Sequence, residues 1–449
     1  MIVSRLALDH FRSWGHCVID FVPGITVLQG PNGIGKTNIV EAIELLSTGM
    51  SHRTSTLSQL IQRGTNRAVV RANIRDILPE DDVSDDGDGW KTDDVSSDSA
   101  SEGPSSHGSS LRRGYAADEA VTVEASLMQR GANRGRLNGG PSRYLRDVTG
   151  LFPSVLFSPD DQRLVMGEPL ARRVFLDQAG ALLSSGYVEV LQGFERIGRQ
   201  RAALLHHIAE ESAASPADLD MLEIWTGQFI AAGTDLTRRR AEIADRLGRV
   251  FQDIHASLAD GEHSVAMIYA PSFAEVTDSS GEPSEPRISE HFRRLFPGEV
   301  ARGRNLIGPH RDDLIFELDG LPARDFASNG ETWTIALAAR MALVDVIVRR
   351  RGEQPVIILD DVFSQLDEVR RRRIIDYVSG RNQVLITAAA QRDVPRIGGI
   401  HVIDVGRLRA AMSDQDAVDV AVPHAQGVVT RDGWKPMESV DSESEGEQG

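Results

Sequence analysis

Residues 28–38 read LQGPNGIGKTN, and their flanks decide what they mean. GITVLQ (24–29) is β-branched and apolar, the composition of a buried strand. NIVEAIELLSTG (38–49) places Ile39, Val40, Ile43, Leu45 and Leu46 at helical spacing and ends on Gly49, a helix stop. Between them GPNGIGKT (30–37) fits the pattern G-x-x-x-x-G-K-[ST]. A strand, a glycine loop and a helix aim backbone N–H groups and the positive helix end at phosphates. Gly30, Gly33 and Gly35 admit a phosphate without Cβ clashes. With Pro31, Asn32 and Ile34 they form the candidate cradle. Lys36 is placed to reach the β- and γ-phosphates and Thr37 to ligate Mg²⁺. The rival is a chance match in a chain with 41 glycines. The flanking strand and helix disfavour it.

Lysine usage sharpens the assignment. The chain has three lysines, Lys36, Lys91 and Lys435, against 46 arginines. Lys91 and Lys435 fall in acidic, Ser- and Gly-rich stretches. A compact three-donor ammonium threads a glycine loop where a planar guanidinium does not.

PVIILDD (355–361) is an apolar run ending in two carboxylates. Buried parallel strands read this way, and ligand chemistry sits at their carboxyl ends. Asp360 is the candidate Mg²⁺ ligand and Asp361 the candidate group that polarises the attacking water. The competing role is an Asp pair capping the next helix. The two motifs lie at opposite ends of the chain with a helical region between them, which is the layout of ATPases of the ABC and SMC type. Such enzymes present a Ser-x-Gly at a helix start to the γ-phosphate of a partner subunit. FASNGETWTIALAARMALVDVI supplies Ser328, Asn329, Gly330 and Glu331 before a strong helix. The same letters satisfy an ordinary capping box, Ser328 with Glu331. SQLDEVRRRR resembles the D-loop of these ATPases, with Ser364 and Asp367 facing the other subunit.

The rest of the chain sets the organisation. Its 449 residues suggest two or three domains. One cysteine, Cys17, excludes an intramolecular disulfide. MIVSRLALDHFRSW carries Arg5, Asp9 and Arg12 and does not resemble a leader. TIALAARMALVDVIV carries Arg340 and Asp345 and is too short to cross a bilayer. The expectation is a soluble protein with no membrane partner. Of the net charge of −17, residues 80–102 hold −9 (ten acids, one lysine) and residues 413–449 hold −7 (nine acids, two bases). The body is left at −1, so a basic patch for phosphate backbones is compatible with it. Strand-like runs at 68–74 and 120–128 flank an acidic low-complexity insertion at 80–118, predicted to be disordered at the tip of a β-hairpin.

The fold expected is α/β. A discontinuous ABC-type P-loop head spans 1–165 and 301–411, a mainly helical domain at 166–300 is inserted without a long coiled coil, and a disordered acidic tail runs over 412–449. Arg238–Arg240, Arg199 with Arg201, and Arg302 with Arg304 are candidate DNA contacts. Each is equally a solvated helix face or loop.

The chain resembles the RecF family of bacterial recombinational-repair ATPases. The resemblance rests on LALDHFRSW, GPNGIGKTNIVEAIELLSTGMSHRTS, the run LNGGPSRYLRDVTGLFPSVLFSPDDQRLVMGEPLARRVFLD, GPHRDDLIFELDGLPARDF and PVIILDDVFSQLDEVRR. It implies an ATP- and Mg²⁺-dependent, DNA-dependent ATPase of the cytoplasm, associated with the nucleoid. The family's partners are single- and double-stranded DNA, bound without sequence preference at junctions. A second copy closes on ATP, and RecO and RecR act with the protein to load RecA, with links to replication and the SOS response. FSPDDQ is expected to supply a γ-phosphate sensor from Asp160, Asp161 or Gln162. Asn329, Trp333 and Ala388–Ala390 depart from the family pattern, which has Gln at 329, Arg or Gln near 333, and Thr and Asp after the strand at 383–387. The other classes considered are a transporter-driving ATPase and an SMC-type bridging protein.

Overall fold

The computed structural model describes the chain except residues 55, 77–119, 211–214, 260, 279–281, 391–392, 395–397, 417–426, 431–432 and 437–449. The acidic insertion at 80–118 therefore lies outside the described residues.

The glycine loop leaves β3 (Gly24–Gln29) and enters α1 (Lys36–Thr48), as the apolar pattern requires. Two sheets sandwich α1. One is antiparallel, in the order β2-β1-β4-β5-β6-β7. Its strands are β1 (Ile2–Phe11), β2 (Trp14–Asp20), β4 (Arg67–Arg75), β5 (Val121–Met128), β6 (Arg134–Leu137) and β7 (Arg143–Tyr144). β4 and β5 pair from Arg67↔Met128 to Ile74↔Val121, the residues joining them lying outside those described. The other sheet is parallel, in the order β14-β3-β13-β12-β8. Its remaining strands are β8 (Ser154–Phe157), β12 (Val356–Asp360), β13 (Gln383–Ala388) and β14 (His401–Asp404). Ile39, Val40, Ile43 and Leu46 of α1 pack with Leu8, Val70 and Leu127 of the first sheet and Leu28 and Ile358 of the second. The Gln383 amide joins the sheets by donating to Val3 O (2.8 Å) and accepting from Val3 N (2.9 Å).

After α2 (Gln162–Met166) the chain becomes helical: α3 (Pro169–Leu183), α4 (Tyr187–Glu210) and α5 (Pro216–Leu258). At 43 residues α5 is about 65 Å long. It packs along α4 and against α8 (Asn329–Arg351), the helix that follows Ser328. Ser215 and Asp218 cap α5 reciprocally, with Pro216 opening its first turn. A small sheet, β11-β10-β9, follows: β9 (Val265–Ala270), β10 (Asp313–Leu318) and β11 (Leu321–Pro322). α6 (Ser284–Arg302) lies between β9 and β10, and α7 (Ala323–Phe326) follows β11. Strands on both sides of residue 300 thus share one sheet. α9 (Glu368–Val378) lies between β12 and β13.

The tail differs from expectation. α10 (Val405–Asp416) runs past 412, and Gly427–Thr430 pairs antiparallel with Gly433–Pro436. The sequence there is GVVTRDGWKP, a β-branched run and an aromatic around Asp-Gly, a hairpin signal that the acidic composition masks. The remaining tail residues lie outside those described. Among the described residues no helix is long and apolar enough to cross a membrane.

Candidate functional site

Gly35 takes φ +109 and Gly33 φ +79, the left-handed region that L side chains rarely enter. A Cβ on Gly35 would also lie 2.8 Å from Trp14 Nε1 and 2.9 Å from Ser13 Oγ. The turn between β1 and β2 thus presses on the back of the loop, where Trp14 Nε1 donates to Gly35 O (3.1 Å). Arg409 adds a second brace, with its guanidinium 5.4 Å from the Trp14 ring centre and Nη1 donating to Ile34 O (2.8 Å). First-turn N–H groups of α1 have no acceptors within the helix. Lys36 is 6% exposed, and its Nζ donates to Gly30 O (2.6 Å) and Pro31 O (3.1 Å). Burial pulls its pKa down, against the attraction of Asp361 and Asp360.

β13 separates β3 from β12, yet the two motifs meet. Thr37 Oγ1 donates to Asp360 Oδ1 at 3.1 Å. Thr387, the last polar residue of β13, donates to the same oxygen at 2.6 Å and accepts from Asp361 N at 2.9 Å. Asp361 is held at φ +54, strained for a residue with a Cβ. Burial pushes the Asp360 carboxyl up, against Thr387, Thr37 and His52. A cation beside it would favour the ionised form. Asp361 Oδ1 is buried and has no hydrogen-bond partner among the described residues. A buried Asp360 and a half-buried Asp361 with one orphaned oxygen, next to a hydroxyl, fit a hydrated divalent cation and an attacking water.

Ser328 caps α8: its Oγ accepts from Glu331 N (3.3 Å), and Glu331 Oε2 accepts from Ser328 N (2.7 Å). Ser328 itself is exposed. A Cβ on Gly330 would lie 2.6 Å from Arg370 Nη2. Arg370 bonds Asp367 and donates to Thr334 Oγ1 (3.3 Å), while Thr334 donates to Gly330 O (3.0 Å). The Ser-x-Gly turn and the D-loop-like segment are therefore tied together. Ser364 Oγ donates to Asp361 O (2.8 Å), so that segment is also tied to the backbone of the carboxylate pair. Asn329 accepts from Gln162 Nε2 (3.3 Å), whereas Asp161 is buried and consumed by Arg340 (2.8 and 3.0 Å). Trp333 packs into the core at 5% exposure, so that departure is a matter of packing.

A buried polar chain backs the site. His52 Nδ1 meets Glu44 Oε2 at 2.6 Å, Gln178 Nε2 donates to Glu44 Oε1 (2.9 Å), and Arg340 Nη1 donates to Gln178 Oε1 (3.3 Å) before reaching Asp161. It joins α1, α3, α8 and the FSPDD turn. Sequence reasoning missed Thr387, Trp14, His52, Glu44, Gln178 and Arg340. Only Thr387 had a local signal, a lone hydroxyl ending an apolar strand at the carboxyl side.

The family model described as the RecF/RecN/SMC N terminal domain matches residues 2–397. The DNA replication and repair protein RecF of Bifidobacterium adolescentis is 48% identical over 426 residues, covering 94% of this chain and 95% of that protein. Its namesake in Bifidobacterium longum subsp. infantis is 51% identical over 411 residues, covering 91% and 90%. The chain belongs to the RecF family. A solved structure of the recombination mediator protein RecF with ATPrS in the RecFOR pathway matches with a TM-score of 0.72 at 23% identity, over 90% of this chain and 96% of that one. The head is thus an ABC-type ATPase head as RecF proteins have it.

Two arginines offered as DNA contacts are core residues of this RecF-family fold. Arg201, 1% exposed, pairs with Glu299 (2.6 Å) and donates to Asn305 Oδ1 (2.7 Å). Arg240, 3% exposed, pairs with Asp177 (2.8 Å) and Asp312 (2.9 Å). Neither can reach DNA, because burial and a carboxylate leave no donor for a phosphate. Arg238, Arg239 and Arg199 are paired with Glu285, Asp235 and Glu195. Arg302 and Arg304 remain exposed.

Proposed function

We propose that the chain is a DNA-dependent ATPase switch of recombinational repair. Two heads trap two ATP molecules, and each site is completed by Ser328 and Gly330 of the second copy. The loop 30–37 cradles the phosphates with Lys36 neutralising charge, while Thr37 and Asp360 hold Mg²⁺ and Asp361 orients the attacking water. Bound there, Mg²⁺ would supply charge neutralisation at the phosphates. Closure grips single- and double-stranded DNA at gap junctions, and hydrolysis resets the clamp. In the cytoplasm, at the nucleoid, the switch acts with RecO and RecR so that RecA is loaded.

One observation carries this reading. Thr37 and Asp360, from opposite ends of the chain, share a hydrogen bond (3.1 Å), while the Ser328 turn is exposed. Among the described residues no hydrogen bond joins Ser328 to Lys36, Thr37, Asp360 or Asp361. A half-site and an outward-facing cap are what a two-copy site needs. The test is ATP turnover with and without duplex DNA, with light scattering in ATP. DNA stimulation and an ATP-dependent dimer are expected. A protein that stays monomeric in ATP and ignores DNA overturns the proposal.

A further inference from the structure

The solvent face of the six-stranded sheet is charged unevenly. Residues opposite one another in antiparallel strands share a face. The registers Arg71↔Glu124, Arg67↔Met128, Ser126↔Arg134 and Arg134↔Tyr144 put these side chains on one face. Val70, Ala72, Ala125 and Leu127 are buried on the other. Towards β2 the arginines are matched: Arg5 with Asp20, and Arg71 with Asp9 and Glu124. Towards the β7 edge they are not. Arg67, Arg130, Arg134 and Arg136 have no carboxylate partner among the described residues, and residues 130–143 contain no acid; Arg143, opposite Gly135, is on the reverse face of the edge. In the helical region the exposed Arg199, Arg249 and Arg293 pair with Glu195, Asp245 and Glu290, although Arg196, Arg294 and Arg302 have no carboxylate partner among the described residues.

Tyr144 stands in the middle of this edge, 45% exposed, with the guanidinium carbons of Arg134 and Arg146 each 4.6 Å from its ring centre. Arg146 also faces Asp147 at 3.7 Å. A carboxylate that orients an arginine also cancels its charge. An aromatic ring orients it by cation–π attraction and leaves the charge and the N–H donors available. Arg134 is therefore a braced, uncompensated guanidinium with Arg130 and Arg136 beside it, an arrangement that suits anions with several acceptor oxygens.

We propose that the β5–β7 edge, centred on Arg134, Arg136 and Tyr144, binds the phosphodiester backbone of DNA. The proposal rests on the DNA-binding reading above and gives it a location. Its place in the fold couples it to the nucleotide. Gln129 N donates to Asn66 O (2.9 Å) and Arg12 N to Leu60 O (2.7 Å), so Arg67 and Arg130 occupy the sheet end from which the Arg12–Trp14 turn reaches the glycine loop. Contacts to phosphates position the protein without reading sequence.

The test is fluorescence anisotropy of a labelled random-sequence duplex with the full chain and a non-hydrolysable ATP analogue, across a salt series. Arg130→Ala/Arg134→Ala/Arg136→Ala should lower the slope of log K against log salt by about 0.9 for each phosphate that is no longer neutralised. Its affinity for a fluorescent ATP analogue should be unchanged, which reports an intact fold. Tyr144→Ala should weaken DNA binding and Tyr144→Phe should restore it. A triple variant with the wild-type slope, or a loss seen only in Arg302→Ala/Arg304→Ala, overturns the location. A wild-type chain that binds no DNA in any nucleotide state overturns the DNA-binding reading itself. Poly-glutamate competing as well as single-stranded DNA of equal charge would make the edge a docking site for acidic protein and overturn the phosphodiester assignment.

Discussion

Replacing Thr387 by valine isolates the least expected part of the site. The side chain is 2% exposed and β-branched, so valine keeps the strand packing and removes only the hydroxyl. Two interactions go with it: the 2.6 Å bond to Asp360 Oδ1 and the 2.9 Å acceptor for Asp361 N. A bond to a charged group contributes about 1.5–3 kcal/mol, and an orphaned buried N–H costs about 1–3 kcal/mol. One hydroxyl serves both, so the two do not simply add. A loss of about 2–4 kcal/mol is the expectation from the same bounds. Asp361 also sits at φ +54, a conformation that costs a non-glycine residue about 1–2 kcal/mol. Without its N–H anchor the residue relaxes and carries its carboxylate away from the attacking water.

Turnover should therefore fall by about tenfold or more, since each 1.36 kcal/mol of barrier is a decade. ATP affinity should change far less, because Lys36 and the loop amides are untouched. Thr387→Ser, which keeps the hydroxyl, should recover most of the activity. Steady-state ATPase rates, a fluorescent-nucleotide titration and thermal denaturation measure the three quantities. Thr387→Val with wild-type turnover and an unchanged melting temperature would refute the clamp.

Lys36→Arg should retain measurable ATP binding and lose hydrolysis, because the guanidinium fork does not reproduce a compact ammonium; normal turnover removes Lys36 from its role. Arg340→Ala leaves Asp161 buried without its partner and should cost about 3–5 kcal/mol in denaturant unfolding. Burial opposes charging of His52, but Glu44 at 2.6 Å, with Glu41 and Asp360, outweighs it and raises the pKa above 6.5. The stabilisation from protonated His52 is thus complete below about pH 6.5 and lost as pH rises through the higher folded value. In nucleotide- and magnesium-free protein the melting temperature should fall over that window, and His52→Gln should flatten the fall; an identical pH profile for the variant contradicts it.

Reading the sequence succeeded where the signal is local. The strand, glycine loop and helix at 24–49 are contiguous, and Ser328 with Glu331 is a four-residue pattern that the capping box reproduces. Thr387 was hidden because its importance depends on β13 lying between β3 and β12, a strand order set by crossovers of many residues. The arginines teach a sharper lesson. Arg240 lies four residues after Leu236 and three before Ile243, and Arg201 lies four before Leu205 and seven before Ile208. Both are on the buried stripe of a helix, so periodicity already marks them as core ions requiring a carboxylate. Arginine clusters on helices, such as 238–240, attract notice as basic runs, yet here Arg239 is matched by Asp235 one turn away, and Arg238 and Arg240 by Glu285 and Asp177 of neighbouring helices. Residues 130–143 are less conspicuous, four arginines spread over two short strands and their turns with no acid among them. Alternation places Arg134 and Arg136 together on one face of β6, with Gly135 between them on the buried side against Val148. What distinguishes a surface available to phosphate is the absence of a competing carboxylate, and that can be read from where the acids are missing.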